Sequence, residues 1–264
     1  MNEMPAPLMG LLAGLVTWAF TAAGAAAVFL SREFSRKTLD VMLGGAAGVM
    51  LAATFWSLLN PAMELAEPAW GAGRVIPVGL GLLIGAVVIR VMDRVLPHIH
   101  PIGGLRDGGP SKLPKNTLLI LAITLHNIPE ALAVGVGFGA AVVDPKLGLA
   151  PAITLMFAIG LQNLPEGLAV SMPLLREGMG KRKAFFYGQL SGLVEPVAAT
   201  FGALLASIAL PFLPWALAIA AGAMLFVTVE EVIPESQVSG NHDAATMGVM
   251  AGFVAMMCLD VLFG

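Results

Sequence analysis

The chain is written as long apolar stretches separated by short polar ones. Eight stretches are long and apolar enough to cross a bilayer as helices: about 8–30, 40–60, 75–92, 116–140, 151–173, 184–209, 213–235 and 244–263. Roughly 20 apolar residues suffice, because a helix rises ~1.5 Å per residue and the hydrocarbon core is ~30 Å thick. The pattern predicts an all-α polytopic membrane protein with eight transmembrane helices, residues 1–264 forming a single domain.

Composition agrees with the pattern. Of 264 residues, 58% are hydrophobic and 12% charged, with a mean hydropathy of +0.87; a soluble domain carries about 25% charged residues. One cysteine, Cys258, excludes a disulfide framework and a thiolate cluster. The opening "MNEMPAP" has an acid and no basic residue before the first apolar run, so the first span reads as an uncleaved helix rather than a signal peptide. Charge also sets orientation. Arg32, Arg36 and Lys37 follow the first span; Arg90, Arg94, Arg106, Lys112 and Lys115 surround the loop after the third; Arg176, Lys181, Arg182 and Lys183 follow the fifth. Only Arg74 and Lys146 lie elsewhere. The positive-inside rule makes those alternate loops cytoplasmic and puts both termini outside.

The chain also repeats itself. "AAGVMLAAT" (Ala46–Thr54) in the second span matches "AAGAMLFVT" (Ala220–Thr228) in the seventh at six of nine positions. "LHNIPEALAV" (Leu125–Val134) in the fourth span matches "LQNLPEGLAV" (Leu161–Val170) in the fifth. In the predicted topology each pair runs antiparallel. Inverted repeats of this kind characterise secondary transporters, whose binding sites lie near the midplane.

The second repeat carries the chemistry. His126 and Glu130 lie four residues apart on one helix face, as do Gln162 and Glu166, with Asn127 and Asn163 one position on. Pro129 and Pro165 lack an N–H and free the carbonyls of Leu125 and Leu161. The sixth span adds Glu195 in "GLVEPV". An acid at mid-membrane costs at least ~2.5–3.5 kcal/mol, and no Lys or Arg lies near the middle of any span. The acids therefore hold protons or a metal. Imidazole with carboxylate suits Zn²⁺, Fe²⁺, Mn²⁺ and related ions, and Met50 offers a thioether. The residues leave the choice among these ions open. The acids Glu64, Glu67 and Asp260 towards the outer side, Glu230, Glu231 and Glu235 towards the inner end of the seventh span, and His98 and His100 in the inner loop are further candidates for the route.

"HNIPEALAVG" and "QNLPEGLAV", with Met50 before them and "GLVEP" after, resemble the ZIP (Zrt/Irt-like) divalent metal transporters, specifically the bacterial GufA-like branch. The resemblance covers the whole chain. It implies a 3+2+3 inverted-repeat helix order, a multi-pass protein of the bacterial inner membrane, and movement of zinc and similar metals into the cytoplasm through a binuclear site. Zinc is the ion the resemblance implies, with Fe²⁺, Mn²⁺, Co²⁺ or Cd²⁺ as the alternatives. Carried over, Met50, His126, Glu130, Gln162 and Glu166 would hold one metal. Asn127, Asn163, Glu195 and the bridging Glu130 and Glu166 would hold the second. Relatives can carry Asp where this chain has Asn163, and Asn is a neutral, poorer ligand.

Other classes fit less well. A membrane metalloprotease needs H-E-x-x-H, a serine hydrolase G-x-S-x-G, and a nucleotide-driven pump G-x-x-x-x-G-K-[ST]; none is present. The chain is read as a transporter, not an enzyme. The strongest rival is a proton-coupled carrier of a small organic solute that uses the intramembrane glutamates. Expected partners are divalent metal ions and the lipid bilayer, with no nucleic acid; a homodimer is left open.

Overall fold

A computed structural model describes residues 4–30, 35–95, 98–99, 106–107, 115–143, 147–176, 178–208 and 212–263. Its helices are α1 (Ala6–Ala25), α2 (Arg36–Ala53), α3 (Asn60–Trp70), α4 (Val75–Val95), α5 (Lys115–Val143), α6 (Ala150–Arg176), α7 (Lys181–Leu190), α8 (Val194–Ile208), α9 (Leu213–Val227), α10 (Ile233–Gln237) and α11 (His242–Phe263). The one exception to helix and turn among the described residues is a two-residue bridge, where His98 and Ile99 pair antiparallel with Asp107 and Arg106. Arg32, Lys112, Lys146 and His100 lie outside the described residues.

Seven helical stretches among the described residues are long and apolar enough to cross a membrane. Large apolar side chains such as Leu83, Val87, Val197 and Val261 face outward, as lipid-facing surface requires. The chain is a multi-pass membrane protein. The second and third expected spans run together in one stretch, Arg36–Val95, of 60 residues. As a straight rod it would reach ~90 Å, about three hydrocarbon cores, so it cannot be a single crossing. It turns at a 3₁₀ segment opening on Gly71, whose φ of 52° suits glycine, and α4 returns against α3. The expected sixth span is instead interrupted. A 3₁₀ turn at Ser191–Leu193 separates α7 from α8, directly before Glu195 and Pro196.

The first repeat has a physical counterpart. In both copies the closing threonine donates its hydroxyl back to the methionine carbonyl four residues earlier: Thr54 to Met50 at 2.8 Å, Thr228 to Met224 at 2.7 Å. At each of these threonines the helix widens into a π-turn, Thr54–Leu59 and Thr228–Val232. Pro61 and Pro234 follow, each removing an N–H from the ladder. Packing repeats as well. A methyl group on Gly48 of α2 would strike the Val249 carbonyl of α11, and one on Gly222 of α9 would strike the Leu82 carbonyl of α4. Gly252 of α11 meets the Gly45 carbonyl, and Gly85 of α4 meets the Ile219 carbonyl, in the same way. Helix pairs α2/α11 and α4/α9 are thus held backbone to backbone, the close approach that small residues permit in lipid. A second group, α1, α5, α6 and α8, packs together with Gly24, Gly135 and Gly167 at its crossings. Contacts of α2 with α6 and of α5 with α9 join the two groups. An apolar core containing Met50, Leu155, Leu217, Met224 and Met256 fills the seam.

Candidate metal site

Helices α5 and α6 continue through Pro129 and Pro165 as single helices. Met50, His126, Asn127, Glu130, Gln162, Asn163, Glu166 and Glu195 are all 4% exposed or less. Met50 is fully buried on α2, a helix that packs on both α11 and α6. Glu130 stands within electrostatic reach of Glu166 and Glu195, with Gln162 beside its carboxylate. Glu166 faces His126 and Glu235. Helices α5, α6 and α8 therefore bring the acids of both motif copies and Glu195 into one buried region.

The amides of this region are oriented by their neighbours. Asn127 Nδ2 donates to the Ser191 carbonyl at 3.1 Å. That carbonyl belongs to the break between α7 and α8, where the helical ladder leaves acceptors over. Asn163 Nδ2 donates to Glu195 Oε2 at 2.9 Å. With the nitrogens used, the oxygens are left. Among the described residues, Asn127 Oδ1, Asn163 Oδ1, the side-chain amide of Gln162 and all four carboxylate oxygens of Glu130 and Glu166 are buried without a hydrogen bond of good geometry. Each such atom costs about 1–3 kcal/mol, more when charged. For the oxygens among them, such a cost gathered in one place is offset when a cation is the missing partner. Carboxylate and amide oxygens beside an imidazole form the donor set of a borderline divalent ion. Among the described residues no three His, Cys, Asp or Glu side chains converge tightly enough to grip an ion in this state.

Sequence reasoning missed several neighbours. His126 Nε2 is paired with Glu231 Oε2, on the π-turn after α9. The π-turn and the packing of α5 on α9 set Glu231, expected towards the inner end of the seventh span, beside the histidine. Together with Asp93, Ile89, Met92, Leu125 and Val227 they line a small cleft. Glu195 Oε1 accepts from Thr21 Oγ1 of α1 at 2.6 Å. The one sequence signal for this was a polar pair, Thr17 and Thr21, spaced one helical turn apart in an apolar span.

The acids expected on the outer side have different surroundings. Asp260 is buried and accepts from Ser57 Oγ at 2.8 Å, where α11 contacts the π-turn that follows α2. Glu67 pairs with Arg74. Glu64 is exposed, with Asn60 Nδ2 at 3.4 Å. On the other side Glu230 pairs with Arg90 at 3.3 Å, and Glu235 is buried.

A polytopic helical protein that buries paired acids, amides and a histidine around broken and π-widened helices has the build of a metal-ion transporter. Residues 115–260 match the profile of the family described as ZIP zinc transporter, and the chain belongs to that family. It is 41% identical to zinc transporter GufA of Myxococcus xanthus, over 97% of this chain and 99% of that one. It is 40% identical to zinc transporter ZIP11 of Homo sapiens, over 96% of this chain and 97% of that one. It is 33% identical to zinc transporter ZupT of Clostridium perfringens, over 99% of this chain and 97% of that one. The alternative of an organic-solute carrier gains no support from these relatives.

Proposed function

We propose that this chain moves divalent transition metal, zinc first, across the membrane into the cytoplasm through the buried region of α5 and α6. The observation that carries the proposal is the set of buried, unbonded oxygens on Asn127, Glu130, Gln162, Asn163 and Glu166 beside His126. Met50 completes the candidate ligands from α2. Two clefts supply an approach and a departure. One, lined by Ser57, Pro61, Gly137, Ala140 and Gly148 among others, touches α5 at Gly137. The other touches α5 at His126. These positions are eleven residues apart, ~16 Å along the helix, with Glu130 between them. By the positive-inside reading the His126 end is cytoplasmic, since Arg90 and Arg94 close α4 there. Asp93, Glu231 and His126 can then take the ion from Glu166.

Inverted repeats suggest one repeat rocking against the other. The packing favours a different division. Helices α1 and α8 come from different repeats yet stand in one group with α5 and α6. Movement along the α2/α6 and α5/α9 seams would carry the metal past the fixed pairs α2/α11 and α4/α9. The reading is tested with purified protein in liposomes and an internal zinc indicator. Zinc entry that is lost in Glu166→Ala, with the variant still monodisperse, is expected. Wild-type vesicles that admit no divalent metal, or a Glu166→Ala variant with normal entry, would refute it.

A further inference from the structure

We infer that Glu195 is a positioning residue rather than a metal ligand, and that this chain carries one metal ion at a time, the Asn163 side-chain N–H standing where a second cation would be bound. The inference rests on the transport-site reading above and deepens it.

Three acids share the buried region within electrostatic reach of one another, and the structure treats them differently. Both oxygens of Glu130 and of Glu166 lack a hydrogen bond among the described residues. Both oxygens of Glu195 have one, Oε1 from Thr21 and Oε2 from Asn163. The seat is built for this. Gly192, in the turn before α8, leaves the room that Oε1 and Thr21 occupy: a methyl group there would lie 2.6 Å from Glu195 Oε1 and 2.9 Å from the Thr21 Cβ. Glu195 itself lies in the first turn of α8, where unsatisfied N–H groups favour a negative charge. The carboxylate thus ties α1, α6 and α8 together at one point.

Asn163 stands between Glu195 and the metal region. Its nitrogen can serve Glu195 and its oxygen the metal, but it cannot turn its oxygen towards a second ion beside Glu195 without giving up that bond. A second ion would have to displace a charge-assisted hydrogen bond, and it would bring a positive charge that Glu195 alone must answer. Breaking one such bond weakens the second ion by about 10- to 100-fold relative to the first. An aspartate at 163 would reverse the logic. It would set two carboxylates about one hydrogen-bond length apart, an arrangement that calls for a cation between them.

The test is equilibrium dialysis of the full chain in detergent against Zn²⁺, with bound metal counted by elemental analysis. Wild type should take up one tight ion and Asn163→Asp two. Thr21→Val should lower the unfolding midpoint of the zinc-free protein while shifting zinc affinity less than about threefold, since it loosens a strut and removes no ligand. Two ions of similar affinity in wild type would overturn this inference and leave the transport reading standing. So would an Asn163→Asp protein that is folded and still holds one ion. A Thr21→Val protein of unchanged stability but tenfold weaker zinc binding would show that Glu195 acts on the metal. Wild type that binds no zinc would overturn both readings together.

Discussion

Replacing Glu130 by methionine separates the cost of the site from its use. Glu130 is fully buried, neither of its oxygens has a hydrogen bond among the described residues, and Glu166 and Glu195 stand within electrostatic reach. Methionine is close in length, unbranched and tolerant of irregular space. The substitution removes two unsatisfied oxygens and a repulsion, worth about 1–3 kcal/mol in the metal-free protein. At ~2–4 °C per kcal/mol for a chain of this size, the zinc-free variant should unfold ~2–12 °C above wild type. Zinc reverses the order. At 100 times its dissociation constant it stabilises wild type by about 2.7 kcal/mol, or ~5–11 °C. Glu130→Met should show almost none of that rise. The assay is tryptophan-fluorescence thermal unfolding with and without zinc. A zinc-free variant that melts below wild type, yet still gains stability from zinc, would refute the claim that Glu130 is kept for metal at the expense of stability.

Three further outcomes follow from the packing and the charges. Glu231→Gln, which neutralises the partner of His126, should slow zinc entry into vesicles several-fold while leaving the amount of zinc bound at equilibrium unchanged; a large loss of bound zinc would instead make Glu231 a primary ligand. Gly48→Val should cost about 3 kcal/mol or more, because the Val249 carbonyl already occupies the space, and should show as loss of the monodisperse peak on size exclusion; a normal peak would contradict the backbone-to-backbone packing of α2 on α11. Glu64→Gln should reduce entry at low ionic strength and have little effect at physiological salt, where exposed charges are screened over about 8 Å; an equal effect at both would show a role other than attraction.

The class of this protein was legible without coordinates. Membrane spans are set by local composition, since a backbone in lipid must satisfy its own hydrogen bonds and an apolar stretch of the right length has one solution. The candidate ligands were legible for the same reason: His126, Glu130, Gln162 and Glu166 stand out because polar groups at that depth are expensive. The doubled "AAG-ML" segment pointed to matching helices, and the paired π-turns at Thr54 and Thr228 give it a physical form. Tertiary structure decided what local patterns cannot encode. Whether Asp260 faces water or Ser57 depends on how α11 lies along α2. Whether Glu231 meets His126 depends on a π-turn that shifts one helix face against α5. Which groups hold the Glu195 carboxylate depends on Thr21, 174 positions away in the chain. A hydrogen bond requires a partner at one distance and angle, and only the packing of distant helices, here set by glycines that let backbones touch, fixes which partner that is.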